Sequence, residues 1–161
     1  MRHVMEKLEK ERKELERELR YELPKEIQRA TALGDLRENA EYHAALERQS
    51  YVRARVGQLK QRMSQLSSVE LSSLPRDRAA FGSLVTVEDL DSGDEVTYEL
   101  VVPEEGDPAN GKVSVSSPIG RALMGKEVGD EVTVKAPGGD RVFEVRALVT
   151  LHDRGAGDGG E

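Results

Sequence analysis

Residues 42–66 read YHAALERQSYVRARVGQLKQRMSQL, and their spacing decides the first half of the fold. Tyr42, Gln49, Val56 and Met63 recur every seven residues; Ala45, Val52, Leu59 and Leu66 do the same, offset by three. Four heptads with apolar a and d positions predict a coiled-coil helix. Upstream, Met1, Met5, Leu8, Leu15 and Leu19 form a second stripe, interrupted by Arg12. The Glu, Lys and Arg between them sit at the i,i+3 and i,i+4 spacings of exposed helix faces. The stripe then shifts to Leu23 and Ile27, and Pro24, which has no amide hydrogen, predicts a kink or local unwinding there. Between the two stripes lies Thr31-Ala32-Leu33-Gly34-Asp35, with Gly34 as a helix stop and Asp35 as a restart. A short break between two amphipathic helices predicts an antiparallel hairpin. Arms of about 28 residues would reach roughly 40 Å.

Downstream, Ser67-Ser68 and Ser72-Ser73-Leu74-Pro75 mark an exit, which places a coiled-coil domain at 1–75. The period then changes. Leu84 to Val87 and Val96 to Leu100 alternate around the turn Asp91-Ser92-Gly93-Asp94, Pro103 to Gly111 is a polar loop, and Lys112 to Ser116 is a third strand. Ser117-Pro118 opens a short helix to Met124, with proline at its favoured first position. Glu131 to Ala136 and Arg141 to Leu148 predict a second hairpin around Pro137-Gly138-Gly139-Asp140. The order βββαββ predicts a small antiparallel α+β domain over 76–151, and the Gly- and Asp-rich stretch 152–161 reads as a disordered tail.

Composition narrows the function. The chain has no cysteine, which excludes a disulfide framework, thiol catalysis and Cys-ligated zinc. No apolar run approaches the ~18 residues of a membrane span, and the N-terminus MRHVMEKLEK lacks a signal-peptide core, so a cytoplasmic protein is expected. The net charge of −7 is unevenly spread. Residues 1–75 hold fifteen Lys and Arg against thirteen Asp and Glu, and residues 76–161 hold nine against eighteen. A uniformly basic nucleic-acid binder is excluded, and an acidic second half suits a basic protein surface.

The hairpin tip offers the first candidate chemistry. Asp35 and Glu38 sit three apart just after the turn. One reading is a capping box, with Asp35 as N-cap and Glu38 three residues on. The other is a pair of carboxylates that hold Mg²⁺ or polarise water, with Glu41 as a third member. Two carboxylates do not complete a Mg²⁺ site, so a partner would have to supply the rest. Arg48, Arg53, Arg55, Lys60 and Arg62 make the second helix basic. They read either as a solvated face paired with Glu residues of the first helix, or, for Arg48, Arg53 and Arg55, as RNA phosphate contacts. Tyr42 and His43 read as packing and surface residues. The Ser116-Ser117-Pro118-Ile119 segment is either a crossover or an exposed docking loop.

The run Gly34-Asp35-Leu36-Arg37-Glu38-Asn39-Ala40-Glu41-Tyr42-His43-Ala44-Ala45 resembles the signature of the bacterial Gre transcript cleavage factors, GreA type. Phe81 to Val87, the Ser-Pro-Ile…Gly-Lys segment and Pro137-Gly138-Gly139 resemble that family's second domain. The resemblance implies an N-terminal antiparallel coiled coil and an FKBP-like C-terminal domain. It implies binding to bacterial RNA polymerase, with the coiled coil inserted in the secondary channel. The tip carboxylates of the family map onto Asp35 and Glu38, which would help hold a Mg²⁺ shared with the polymerase while backtracked nascent RNA is cleaved. Ser116, Ser117, Pro118 and Ile119 match the loop that docks on the polymerase rim coiled coil. Such a protein is an accessory factor that lends carboxylates to another enzyme.

Two departures stand out. The family's Thr-x-x-Gly opening and Arg-Pro-Glu stretch are replaced by uninterrupted Glu/Lys/Arg helix and by Leu23-Pro24-Lys25-Glu26, and the Gly/Asp-rich tail has no counterpart. An alternative function is a non-catalytic channel binder that modulates or inhibits polymerase; the intact Asp35 and Glu38 argue against it. A prolyl isomerase is disfavoured because residues 76–161 contain only Phe81, Tyr98 and Phe143 as aromatics, and fold alone does not give function.

Overall fold

The first arm of the hairpin consists of α1 (Arg2–Arg17), a π-helical turn (Glu18–Glu22) and α2 (Leu23–Thr31). The computed structural model describes residues 1–155, which fall into two units, Met1–Val69 and the chain from Glu70 onward. The π turn explains the shifted stripe. Heptad spacing after Leu15 and Leu19 calls for the next seam residue at position 22, and the sequence supplies Leu23 instead. A π turn carries one additional residue per hydrogen-bonded ring and absorbs the insertion. Its marker is the Leu23 amide, which donates to the Glu18 carbonyl five residues back. Pro24 has no N–H for the Arg20 carbonyl, so an unbroken α ladder is impossible here. With the register restored, Leu23 and Ala30 are buried.

The second arm, α3 (Ala40–Ser67), keeps its heptads throughout. Ala45, Val52, Leu59 and Leu66 are all buried, as is Val56, while Tyr42, Gln49 and Met63 are half-buried. Leu23, Val52 and Val56 pack together with Leu15 and Leu19 beside them. Charges flank this seam in matched pairs. Arg48 makes a two-pronged bond to Glu18 at 2.6 and 2.9 Å, and Arg55 makes one to Glu11 at 2.9 and 3.1 Å. Lys60 lies 3.2 Å from Glu16. Glu18 precedes Thr31 as Arg48 follows Ala40, so the acids of one arm meet the bases of the other only in antiparallel order.

The second unit carries β1 (Leu84–Asp89), β2 (Glu95–Val101), β3 (Lys112–Ser114), α4 (Pro118–Leu123), β4 (Glu131–Ala136) and β5 (Gly139–Val149). The strands form one sheet in the order β3-β2-β1-β5-β4. The expected order of elements holds, but the sheet is not wholly antiparallel: β3 runs parallel to β2, with Glu99 beside Lys112. The connection from Val102 to Gly111 is too long for a hairpin turn. Its two 3₁₀ turns, Pro103–Glu105 and Pro108–Asn110, bring the chain back beside β2. The other pairs are antiparallel, and β5 bulges at Arg146 opposite Thr86 and Val87. The bulge puts Phe143, Val145 and Leu148 on the core side although the last step is three residues. They pack with Val85, Val87, Leu100, Val113, Val132 and Leu123 of α4.

The chain does not end its order at residue 151. A short helix, α5 (Leu151–Gly155), follows β5. Asp153 accepts from the Thr150 amide at 3.1 Å and from its hydroxyl at 3.0 Å, and these bonds hold its carboxyl below the ordinary value. Arg154 donates to the Gly82 carbonyl and to Glu99, both at 2.8 Å. His152 Nε2 lies 2.8 Å from the Leu74 carbonyl oxygen. The disordered tail expected over 152–161 is therefore helical over its first residues, because specific polar contacts offset the cost of ordering them. Its remainder, 156–161, lies outside the described residues.

Candidate functional site

The tip of the hairpin is the loop between α2 and α3. Gly34 adopts φ 122°, a conformation that residues with a Cβ rarely take; it turns the loop rather than stopping the helix, since α2 already ends at Thr31 with Ala32 as its C-cap. The restart is elsewhere than expected. Asn39, not Asp35, is the N-cap of α3, and its Oδ1 accepts from the Tyr42 amide at 3.0 Å. The capping-box reading of Asp35 and Glu38 is therefore corrected. A favoured cap residue lies next to the heptad run, and the Glu38 side chain falls before the helix instead of inside its first turn.

Asn39 does more than cap. Its Nδ2 donates to the Ala30 carbonyl of α2 at 2.6 Å. Both bonds require this orientation of the amide, since the flipped form would set N–H against N–H and oxygen against oxygen. His43 Nε2 sits 3.1 Å from the Arg37 carbonyl oxygen, and Asp35 Oδ1 accepts from the Arg37 amide at 2.9 Å. The loop is thus tied to both helices and folded on itself. The spacing of the tip residues does not reveal that Asn39 and His43 build the loop. The available signal is an Asn three residues before the first heptad position, Tyr42.

Asp35 and Glu38 are both exposed. Asp35 has one local bond, to the Arg37 amide, and Glu38 has no side-chain hydrogen bond or ion pair among the described residues. Leu33 and Leu36 of the same loop are exposed as well. Glu41 does not join the pair. It lines a groove with Glu26, Arg29, Ala44, Ala45 and Arg48 between the two arms. Among the described residues no three His, Asp or Glu side chains gather into a set that could hold a metal ion. The donor chemistry of the tip suits a hard divalent cation, but the chain brings two carboxylates at most, so a tight site needs outside ligands.

The basic residues of α3 divide. Hydrogen bonds from Arg55 and Arg48 hold Glu11 and Glu18 below the ordinary glutamate range, and the guanidinium groups are raised in return. Arg48 also lies 5.3 Å from the Tyr51 ring centre. Arg48, Arg55 and Lys60 thus serve the paired-face reading. Arg53 is exposed and makes no hydrogen bond or ion pair among the described residues.

In the second unit, Ser117 caps α4: its Oγ accepts from the Gly120 amide at 3.1 Å and donates to the Ser114 carbonyl at 2.7 Å. Arg121 donates to the Ser116 carbonyl at 2.7 Å. A Cβ on Gly120 would lie 1.9 Å from the Ser114 oxygen, so only glycine lets α4 sit this close to the end of β3. Ser116 and Pro118 are exposed, but Ile119 is half-buried and packs on the sheet core. The expected exposed Pro-Ile pair is thereby reduced to Pro118 with its flanking serines, because the helix turns Ile119 inward.

Comparison with known proteins agrees across both units. Residues 2–67 match the family model described as transcription elongation factor, N-terminal, and residues 74–148 match transcription elongation factor, GreA/GreB, C-term. The chain is 48% identical over 136 residues to a transcription elongation factor GreA of Nitratidesulfovibrio vulgaris, covering 83% of this chain and 84% of that one. It is 43% identical over 143 residues to that of Thermodesulfovibrio yellowstonii, covering 87% and 90%. Among solved structures, GreA factor homolog 1 of Thermus thermophilus is 30% identical, covers 92% of this chain and 93% of its own, and superposes with a TM-score of 0.42.

Proposed function

This chain belongs to the GreA/GreB family of transcription elongation factors, and on that premise we propose that it rescues bacterial RNA polymerase by stimulating cleavage of backtracked nascent RNA. It is an accessory and not an enzyme in its own right. The coiled coil enters the secondary channel in the cytoplasm and delivers the tip to the polymerase active centre. The observation that carries this reading is the state of Asp35 and Glu38: two exposed carboxylates at the end of a helical rod, with the helix-capping work done by Asn39. Side chains consumed by capping would have been unavailable for chemistry.

Asp35 and Glu38 would hold a Mg²⁺ ion whose remaining ligands come from the polymerase. When bound, that ion would supply charge to polarise a water and to offset charge developing on the phosphate. The chain's own part is to bring two anionic oxygens to the reacting phosphate and keep them oriented. The rim of the polymerase is contacted by Ser116, Ser117 and Pro118, with Ile119 supporting them from below. Arg53 is the α3 cation left to meet the RNA 3′ segment or the channel wall. A stalled bacterial polymerase complex carrying 5′-labelled RNA tests the reading. Adding this protein should shorten the label-bearing RNA at least tenfold faster than polymerase alone, and an unchanged rate in a complex to which the protein demonstrably binds would favour a channel-binding modulator.

A further inference from the structure

The two ends of the tip loop are joined by a single side chain. Asn39 accepts from α3 through Oδ1 and donates to α2 through Nδ2, across nine residues of sequence. The segment it closes contains Gly34, Asp35 and Glu38, and Glu38 is bonded directly to Asn39 through the backbone. Gly34 has no atoms near where a Cβ would be, so nothing packs against the loop there to hold it. The carbonyl of Ala30 already takes the Leu33 amide at 3.1 Å, and the Asn39 donor fills its second lone pair. His43 adds one further tie, to the Arg37 carbonyl.

We propose that Asn39 is a positioning residue for the cleavage reaction, a role that rests on the function proposed above. By clamping the end of α2 to the start of α3, it fixes the separation of the loop's two ends and so the geometry in which Asp35 and Glu38 are presented. The capping bond alone does not do this, because a cap orders one helix only. The donor arm reaches across to the other helix, and its loss leaves both helices intact while the loop between them drifts.

Serine separates the two tasks. It caps a helix about as well as asparagine, but its hydroxyl is too short to cap α3 and reach the Ala30 carbonyl together. Asn39→Ser in the full-length protein should leave the thermal melt and polymerase binding, measured by competition with labelled wild type, unchanged. Cleavage at saturating protein should fall roughly tenfold to a hundredfold, the scale of an ångström of misplacement. Backbone amides of residues 33–38 should also exchange with deuterium faster than in the wild type, while those of α3 do not. Asn39→Asp keeps the cap and sets a carboxylate oxygen against the Ala30 carbonyl, so it should lose at least as much cleavage with the melt preserved. Wild-type cleavage by Asn39→Ser overturns the positioning role alone, as does a loss that merely tracks weaker binding or a lower melt. Failure of the wild-type protein to stimulate cleavage overturns the functional reading, and this role falls with it.

Discussion

The stem and the tip of the hairpin are built from the same residue types and treat them in opposite ways. In the stem, acids of the first arm and bases on α3 that flank the seam find one another: Glu11 with Arg55, Glu18 with Arg48, Glu16 with Lys60. At the tip, Asp35 and Glu38 face solvent and pair with no cation among the described residues, and the neutral Asn39 ties the two ends of the loop. Charges in the stem favour one way of pairing the two helices; charges at the tip take no part in that pairing. Paired charges account for how the rod is assembled, and the exposed ones at its end are the groups that the proposed function would use.

That contrast can be broken most severely in the stem. Leu59 is 1% exposed and lies in the seam. Leu59→Ala should cost the hairpin about 2–5 kcal/mol, read as a lowered melting transition by helical circular dichroism. Cleavage measured well below that transition should stay near the wild-type rate. A fully folded Leu59→Ala protein without cleavage activity would mean that the stem contributes more than support.

A smaller effect sharpens the same contrast through pH. Hydrogen bonds and attraction from Arg55 and Arg48 hold the folded-state pKa values of Glu11 and Glu18 below their unfolded values. The stability they lend is therefore present above the ordinary glutamate range and is lost as pH falls through the lowered folded values. The hairpin melt should be flat between about pH 7 and 5 and should drop below about pH 4.5. Arg55→Ala should remove part of that acid-sensitive component, and at pH 7 it should cost only about 0.2–1 kcal/mol, since the pair is solvent-screened. A loss of several kcal/mol would mean that this pair behaves as a buried one.

The heptads of α3 made the rod legible from sequence, because all four of its d positions are apolar and all four are buried. The break at Pro24 was legible as a disturbance but not as a π turn. The stripe shows a shift to Leu23 and Ile27, whereas the way a helix absorbs such a shift depends on hydrogen bonds that spacing does not reveal. The bulge at Arg146 is the same event in a strand. Parallel pairing of β3 was hidden because alternation sets which face a residue takes and says nothing of strand direction. Asp35 and Glu38 were legible as a pair, but two local rules competed for the helix start. A carboxylate followed by Glu at the third position matched the capping box, and Asn39, nearer the heptads, takes the cap.

The placement of the cap makes the central claim cleanly testable. Since Asp35 and Glu38 do not cap α3, Asp35→Asn and Glu38→Gln remove charge at the tip with no helix bond lost. The direct measurement is RNA cleavage by a stalled polymerase complex with each variant, titrated with Mg²⁺, beside a thermal melt and a polymerase-binding competition. The account predicts unchanged melting and binding, a cleavage loss on the order of a hundredfold, and partial recovery as Mg²⁺ is raised, because a neutral amide oxygen binds the ion more weakly. Full cleavage by both variants at limiting Mg²⁺ would contradict it.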